Sequence, residues 1–157
     1  MLDDSVPAFI EAACVPLQAH RSGTLAEANQ ILAQRHDVVT GNIYTASLLG
    51  DEASVRALLP SDPQSANRKG GPRSWDALTH LCFSRYLRLD QARSEAFVRT
   101  ARALLDAGAN PNTGFIEMID HPNPRPLLNA AIYGAAAIRA TRRIDPPAAG
   151  PRSRSER

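Results

Sequence analysis

Four histidines, two cysteines and a Gly-Gly turn are the first places in this chain to look for chemistry. His20, His36, His80 and His121 fall in four different segments. His80 and Cys82 share one predicted helix but stand two apart, so they point in different directions and do not form a metal-ligand pair. Asp120 and His121 have the types for acid–base work, yet no nucleophile motif accompanies them. The run Arg68-Lys69-Gly70-Gly71-Pro72-Arg73 lacks both a preceding strand and the Lys-Ser/Thr ending of a phosphate-binding loop. Cys14 and Cys82 have no metal or redox spacing and read as buried free thiols in a reducing cytoplasm. The expectation is a non-catalytic protein with no metal and no cofactor.

Residue types suited to binding are better represented. Trp75, the only tryptophan, sits beside the 68–73 loop and just before a predicted helix. It has two readings: a ring that packs the loop onto its neighbour, which is favoured, or an interface anchor with Arg68, Lys69 and Arg73 as its polar rim. A second loop, 113–124, carries Phe115, Ile116, Met118 and His121, and loops this long in compact domains are commonly functional or mobile. These eight residues are the candidate partner-binding set. Residues 139–157 hold six arginines against Asp145 and Glu156, a net of +4 that leaves −2 for the rest of the +2 chain. That tail offers an alternative function, binding nucleic acid or an acidic surface. Its lack of aromatic residues for base stacking disfavours nucleic acid.

The elements that must position these residues are helices. Phe97, Ala101, Leu104 and Leu105 recur along one face, and Gly108 then ends that helix in a left-handed turn. Pro111 prevents its resumption, because it lacks an amide hydrogen and pushes Asn110 into an extended conformation. The same cadence appears upstream. Ile43 opens a short helix, Gly50 turns the chain, Leu58 and Leu59 close a second helix, and Pro60 and Pro63 stop it. Leu78, Leu81 and Cys82 stand 35 residues after Ile43, Ala46 and Ser47. Leu127, Ala130, Ala131 and Gly134 begin a third copy. Nearer the amino end, Phe9, Ile10, Ala13 and Cys14 share a face, and Leu25, Ala28, Ile31 and Leu32 share another. Thr24 and Glu27 are spaced for a capping box.

A repeat of roughly 33 residues with two short helices and a turn is the ankyrin pattern. The segment Ala103-Leu104-Leu105-Asp106-Ala107-Gly108-Ala109-Asn110-Pro111-Asn112 is similar to the end of an ankyrin repeat. Arg125-Pro126-Leu127 and Asp76-Ala77-Leu78 fall where that family has Thr-Pro-Leu. The likeness covers about residues 38–136, and the stretch from 68 to 86 resembles a bacterial branch with a lengthened second repeat. The resemblance implies an all-α, ankyrin-like solenoid of stacked antiparallel helix pairs joined by hairpin loops. It also implies protein recognition through loop tips and a concave face, with no catalytic machinery.

The departures from the pattern are specific. Ile43 to Leu58 is fifteen residues and Leu78 to Leu104 is twenty-six, so the second copy carries eleven extra. These contain no proline or glycine, and they are expected to lengthen both helices and make them protrude. The third copy places Arg142 and Arg143 where a buried Leu-Leu pair should stand. A native basic tail and a frameshifted or truncated ending both explain this, and the second is favoured. The expected layout is an array over 1–138. It comprises an atypical amino-terminal cap (1–37), a first repeat (38–72), a second with the insertion (73–122) and an incomplete third (123–138). A basic, disordered tail (139–157) follows. The uncovered face of Leu104, Leu105, Leu127, Leu128 and Ile132 would favour self-association. An amino end that begins with acids and the lack of any apolar run of membrane-span length point to a cytoplasmic protein bound to an unidentified protein partner, not to a membrane; export into a host is left open.

Overall fold

The structure is a computed structural model that describes residues 4–15 and 23–113. Eight α-helices run through these residues: α1 (Ser5–Ala13), α2 (Ala26–Gln34), α3 (His36–Thr40), α4 (Ile43–Leu49), α5 (Glu52–Leu58), α6 (Ala77–Cys82), α7 (Arg85–Leu89) and α8 (Ser94–Asp106). Short 3₁₀ turns lie at Pro63–Ala66 and Gln91–Arg93. No strand occurs among the described residues, only two isolated antiparallel bridges, Cys14 with Ser84 and Gly70 with Trp75. The chain is all-α there, as its periodicity predicts. The third copy and the basic tail lie outside the described residues.

Helix α4 is the centre of the molecule. All seven of its residues are buried, and it packs against α1, α5 and α6, while α5 packs against α8. A helix buried all round must satisfy its own polar side chains. Ser47 Oγ donates to the Ile43 carbonyl at 2.7 Å, and Thr45 Oγ1 bonds the carbonyls of Asn42 and Val39. Asn42 caps the start by accepting the Tyr44 amide at 2.8 Å. Gly50 ends the helix at φ +66°, with its amide on the Ser47 carbonyl and the Asp51 amide on the Ala46 carbonyl. Asp51 then caps α5 through the Ser54 amide at 3.0 Å. One residue therefore closes one helix and opens the next, so the α4–α5 turn is very short.

Helix α8 ends in the same way. Gly108 has φ +91°, its amide bonds the Leu105 carbonyl at 3.0 Å, and the Ala109 amide bonds the Leu104 carbonyl at 2.9 Å. This double bond satisfies two of the terminal carbonyls. Phe97 and Leu104 are buried and Ala101 is half-buried, but Leu105 is 43% exposed. Leu104 thus belongs to the core and not to the expected uncovered face. Leu127, Leu128 and Ile132 lie outside the described residues.

Three expectations are corrected. The insertion does not lengthen both helices of the second copy. Helix α6 stops at Cys82, and Ser84, in extended conformation, caps a separate helix by accepting the Tyr86 amide at 3.1 Å. Tyr86 is buried, stacks on Phe9 at 6.4 Å and donates its hydroxyl to Asn29 Oδ1 at 2.7 Å. The inserted residues therefore fold back onto the amino-terminal helices instead of protruding. Second, the box at Thr24 is not reciprocal: Thr24 Oγ1 accepts the Ala26 amide at 3.3 Å, and α2 starts without a side-chain bond from the residue at its cap. Third, an additional helix, α3, crosses the expected boundary between residues 37 and 38, buries Val39 and packs against α1, α2 and α4.

Candidate recognition edge

Residues 70–75 form a tight hairpin. The Gly70 amide donates to the Trp75 carbonyl at 2.9 Å, the Trp75 amide returns a bond to Gly70 at 3.1 Å, and the Ser74 amide donates to the Gly71 carbonyl. The turn requires left-handed backbone at Gly71 (φ +72°) and Ser74 (φ +52°). Gly70 is required for a different reason. A Cβ there would come within 2.6 Å of the Tyr44 ring, which lies against the hairpin and donates its hydroxyl to the Arg68 carbonyl at 3.0 Å.

The structure separates the candidate residues into two groups. Arg68 and Lys69 are exposed, and Arg68 forms a two-pronged pair with Asp62 that holds the Asp62 carboxyl below its ordinary range. Trp75 and Arg73 face inward. Trp75 is only 4% exposed, with its ring 5.0 Å from Phe83 and 5.8 Å from His80. A ring so enclosed has no surface to offer a partner, which agrees with the favoured packing reading and removes Trp75 from the candidate partner-binding set. Arg73 lies over the Trp75 ring at 5.1 Å, donates to the Glu11 carboxylate at 2.9 Å and to the Val15 carbonyl at 3.2 Å. It is corrected from polar rim to a strap between the hairpin and α1. Phe115, Ile116, Met118 and His121 lie outside the described residues, as does His20.

Asn67, which the sequence did not single out, links two loops. Its Nδ2 donates to the Gly108 carbonyl at 2.8 Å, and its Oδ1 accepts the Asn110 amide at 2.7 Å. The loop after α5 therefore lies beside the loop after α8. The Asn-Pro-Asn motif hints at this turn, but nothing local to Asn67 reveals its partner 43 residues away. Asp76 performs a second linking role. It caps α6 through the Thr79 amide and hydroxyl, both at 2.9 Å, and accepts the Thr113 hydroxyl at 2.7 Å.

Cys14 and His80 are buried and Cys82 is half-buried. Burial pushes the Cys14 and Cys82 thiols up to about 12, so neither is a thiolate at neutral pH. His80 is fully buried, and burial lowers it to about 4. No group of three or more His, Cys, Asp and Glu residues among the described residues could hold a metal ion. An open cleft of about 280 Å³, which the sequence did not foreshadow, is lined by Leu32, His36, Leu49, Asp51, Arg93 and Ala96. Its charged groups are already committed: Asp51 caps α5, and Arg93 bonds Asp90 and the Leu49 carbonyl.

The two arginines should respond differently to truncation. Arg73→Ala is expected to cost about 1–2 kcal/mol, from lost charge-assisted bonds and ring contact at a mostly buried side chain. Arg68→Ala, which removes an exposed pair, should stay within about 0.5 kcal/mol. Urea midpoints compared side by side check this, and equal losses would contradict the division into strap and rim. No helix among the described residues is long and apolar enough to cross a membrane. No family model, no curated protein and no solved structure matches this chain.

Proposed function

We propose that this chain is an ankyrin-like stack of helix pairs that recognises a protein partner through its loop edge and has no catalytic role. The observation that carries the reading is the Asn67 linkage, which sets loops from two successive helix pairs side by side on one edge. The packing of α4 against both α1 and α6, with α5 against α8, supports the stack. Arg68 and Lys69, with the hairpin tip at Pro72 and Ser74, are among the exposed side chains on that edge. A rigid stem carrying an exposed tip suits recognition, because little ordering entropy is lost on binding.

A charge-reversing pair, Arg68→Glu with Lys69→Glu, is expected to reduce partner capture at least about tenfold, since like charges at an interface oppose association. Helical content and urea midpoint should stay near those of the parent. Unchanged capture by a folded double variant would move recognition to another face. Capture that instead disappears on deleting 139–157 would favour the basic tail.

A further inference from the structure

We propose that the 70–75 hairpin is an acid-released clasp triggered by His80, the buried imidazole beneath it. His80 Nδ1 lies 2.9 Å from the Asp76 carbonyl oxygen, which can only accept, so Nδ1 carries the hydrogen. Nε2 is then a bare acceptor, buried and without a hydrogen-bond partner. Its surroundings are closed. Tyr44 lies 5.0 Å from the ring, Trp75 lies 5.8 Å from it, and a Cβ on Gly71 would stand 3.4 Å from Nε2. An unpaired neutral acceptor is tolerable in such a place, whereas an unpaired N–H on a cation is far more costly.

The charged and titratable groups around the ring do not supply the missing acceptor. Asp76 at the cap of α6 raises the affinity of His80 for a proton, but its carboxylate oxygens are taken by Thr79 and Thr113. Glu11 on α1 acts in the same direction and is engaged with Arg73. Arg73 on the hairpin opposes protonation, and Tyr44 on α4 gives its hydroxyl to the Arg68 carbonyl. Desolvation outweighs them all and lowers His80 from 6.5 to about 4. A proton on Nε2 therefore needs water, and the nearest covering that can open is the hairpin. That covering is held by three backbone bonds within itself, by the Arg73 strap and by the Trp75 ring packed on Phe83.

The sign follows from linkage. The closed form excludes the proton, so opening takes one up, and the opening equilibrium rises as pH falls from 6.5 towards 4. Between pH 7 and pH 4.5 the gain is about 50-fold, with most of it below pH 6. Above pH 6.5 the clasp is insensitive to pH.

Hydrogen exchange read amide by amide tests this, after correction for intrinsic rates. The Gly70 and Trp75 amides should lose protection about 50-fold between pH 7 and 4.5. The Val55 and Leu104 amides should hold, and His80→Phe should abolish the loss. Simultaneous loss at Val55 and Leu104 would replace the clasp with global unfolding, and an equal loss in folded His80→Phe would remove His80 as the trigger. If that variant does not fold, nitrogen-15 titration of His80 in the parent decides. Titration in step with the Trp75 amide supports the clasp, and titration near 6.5 with an unchanged hairpin overturns it. The readout is the hairpin itself, so the result stands apart from whether that edge binds a partner.

Discussion

Trp75→Ala loses about 3–5 kcal/mol of stability, the cost of removing a large aromatic side chain from a closed core. The ring contacts His80 on α6 and Phe83 at its end and is covered by Arg73, so its removal opens a void between α6 and the hairpin. Void formation and lost dispersion act together, because the neighbours relax only partially. For a domain whose total stability is of order 5–15 kcal/mol, that is a large fraction of the total. Chemical denaturation followed by circular dichroism checks it. A midpoint unchanged from the parent would return Trp75 to the surface as an anchor.

Gly50→Ala and Gly108→Ala form the second large contrast. Both glycines have positive φ, +66° and +91°, so alanine at either costs about 1–2 kcal/mol of backbone strain. Their surroundings differ. A Cβ on Gly108 meets nothing within 4 Å, whereas one on Gly50 falls 2.8 Å from Phe97 Cδ2. The Phe97 ring is buried between α8 and the α4–α5 turn and cannot swing away freely. Overpacking adds about 1–3 kcal/mol at Gly50 and nothing at Gly108. Thermal melts should therefore separate the two variants by several degrees. Phe97→Leu should recover part of the Gly50→Ala loss, since the two sites are in contact and are not additive. Equal losses at the two glycines would mean that Phe97 does not close on the turn.

What the sequence reveals and what it hides follow from the range of the forces involved. The end of α8 is readable because Leu104, Leu105, Gly108 and Pro111 act over a few residues, through backbone sterics and local hydrogen bonds. The α4–α5 turn is readable for the same reason at Gly50. The fate of the insertion is not, because it is decided by Tyr86 finding Phe9 and Asn29 far along the chain. A helix-friendly run without glycine or proline looks like an extension of its neighbours, yet one serine in extended conformation starts a new helix. Arg73 misleads in a similar way. A basic residue in a glycine-rich loop looks solvent-facing until its partner Glu11, 62 residues earlier, is brought beside it. Trp75 carries both readings in sequence, and only burial separates them. Thr24 shows the opposite limit, since the right residue types for a capping box are present, yet its hydroxyl accepts the Ala26 amide two residues on and Leu25 stands at the cap.

Site-specific photo-crosslinking tests the recognition edge most directly. A photoreactive residue at position 69 replaces an exposed side chain on the loop edge, and one at position 102 replaces an exposed side chain on α8. In an extract of the source cells, the account predicts one defined protein adduct from position 69 and none from position 102. The charge-reversing Arg68→Glu substitution should suppress that adduct. An adduct from position 102 alone, or equal and nonspecific labelling from both, would contradict recognition through the loop edge.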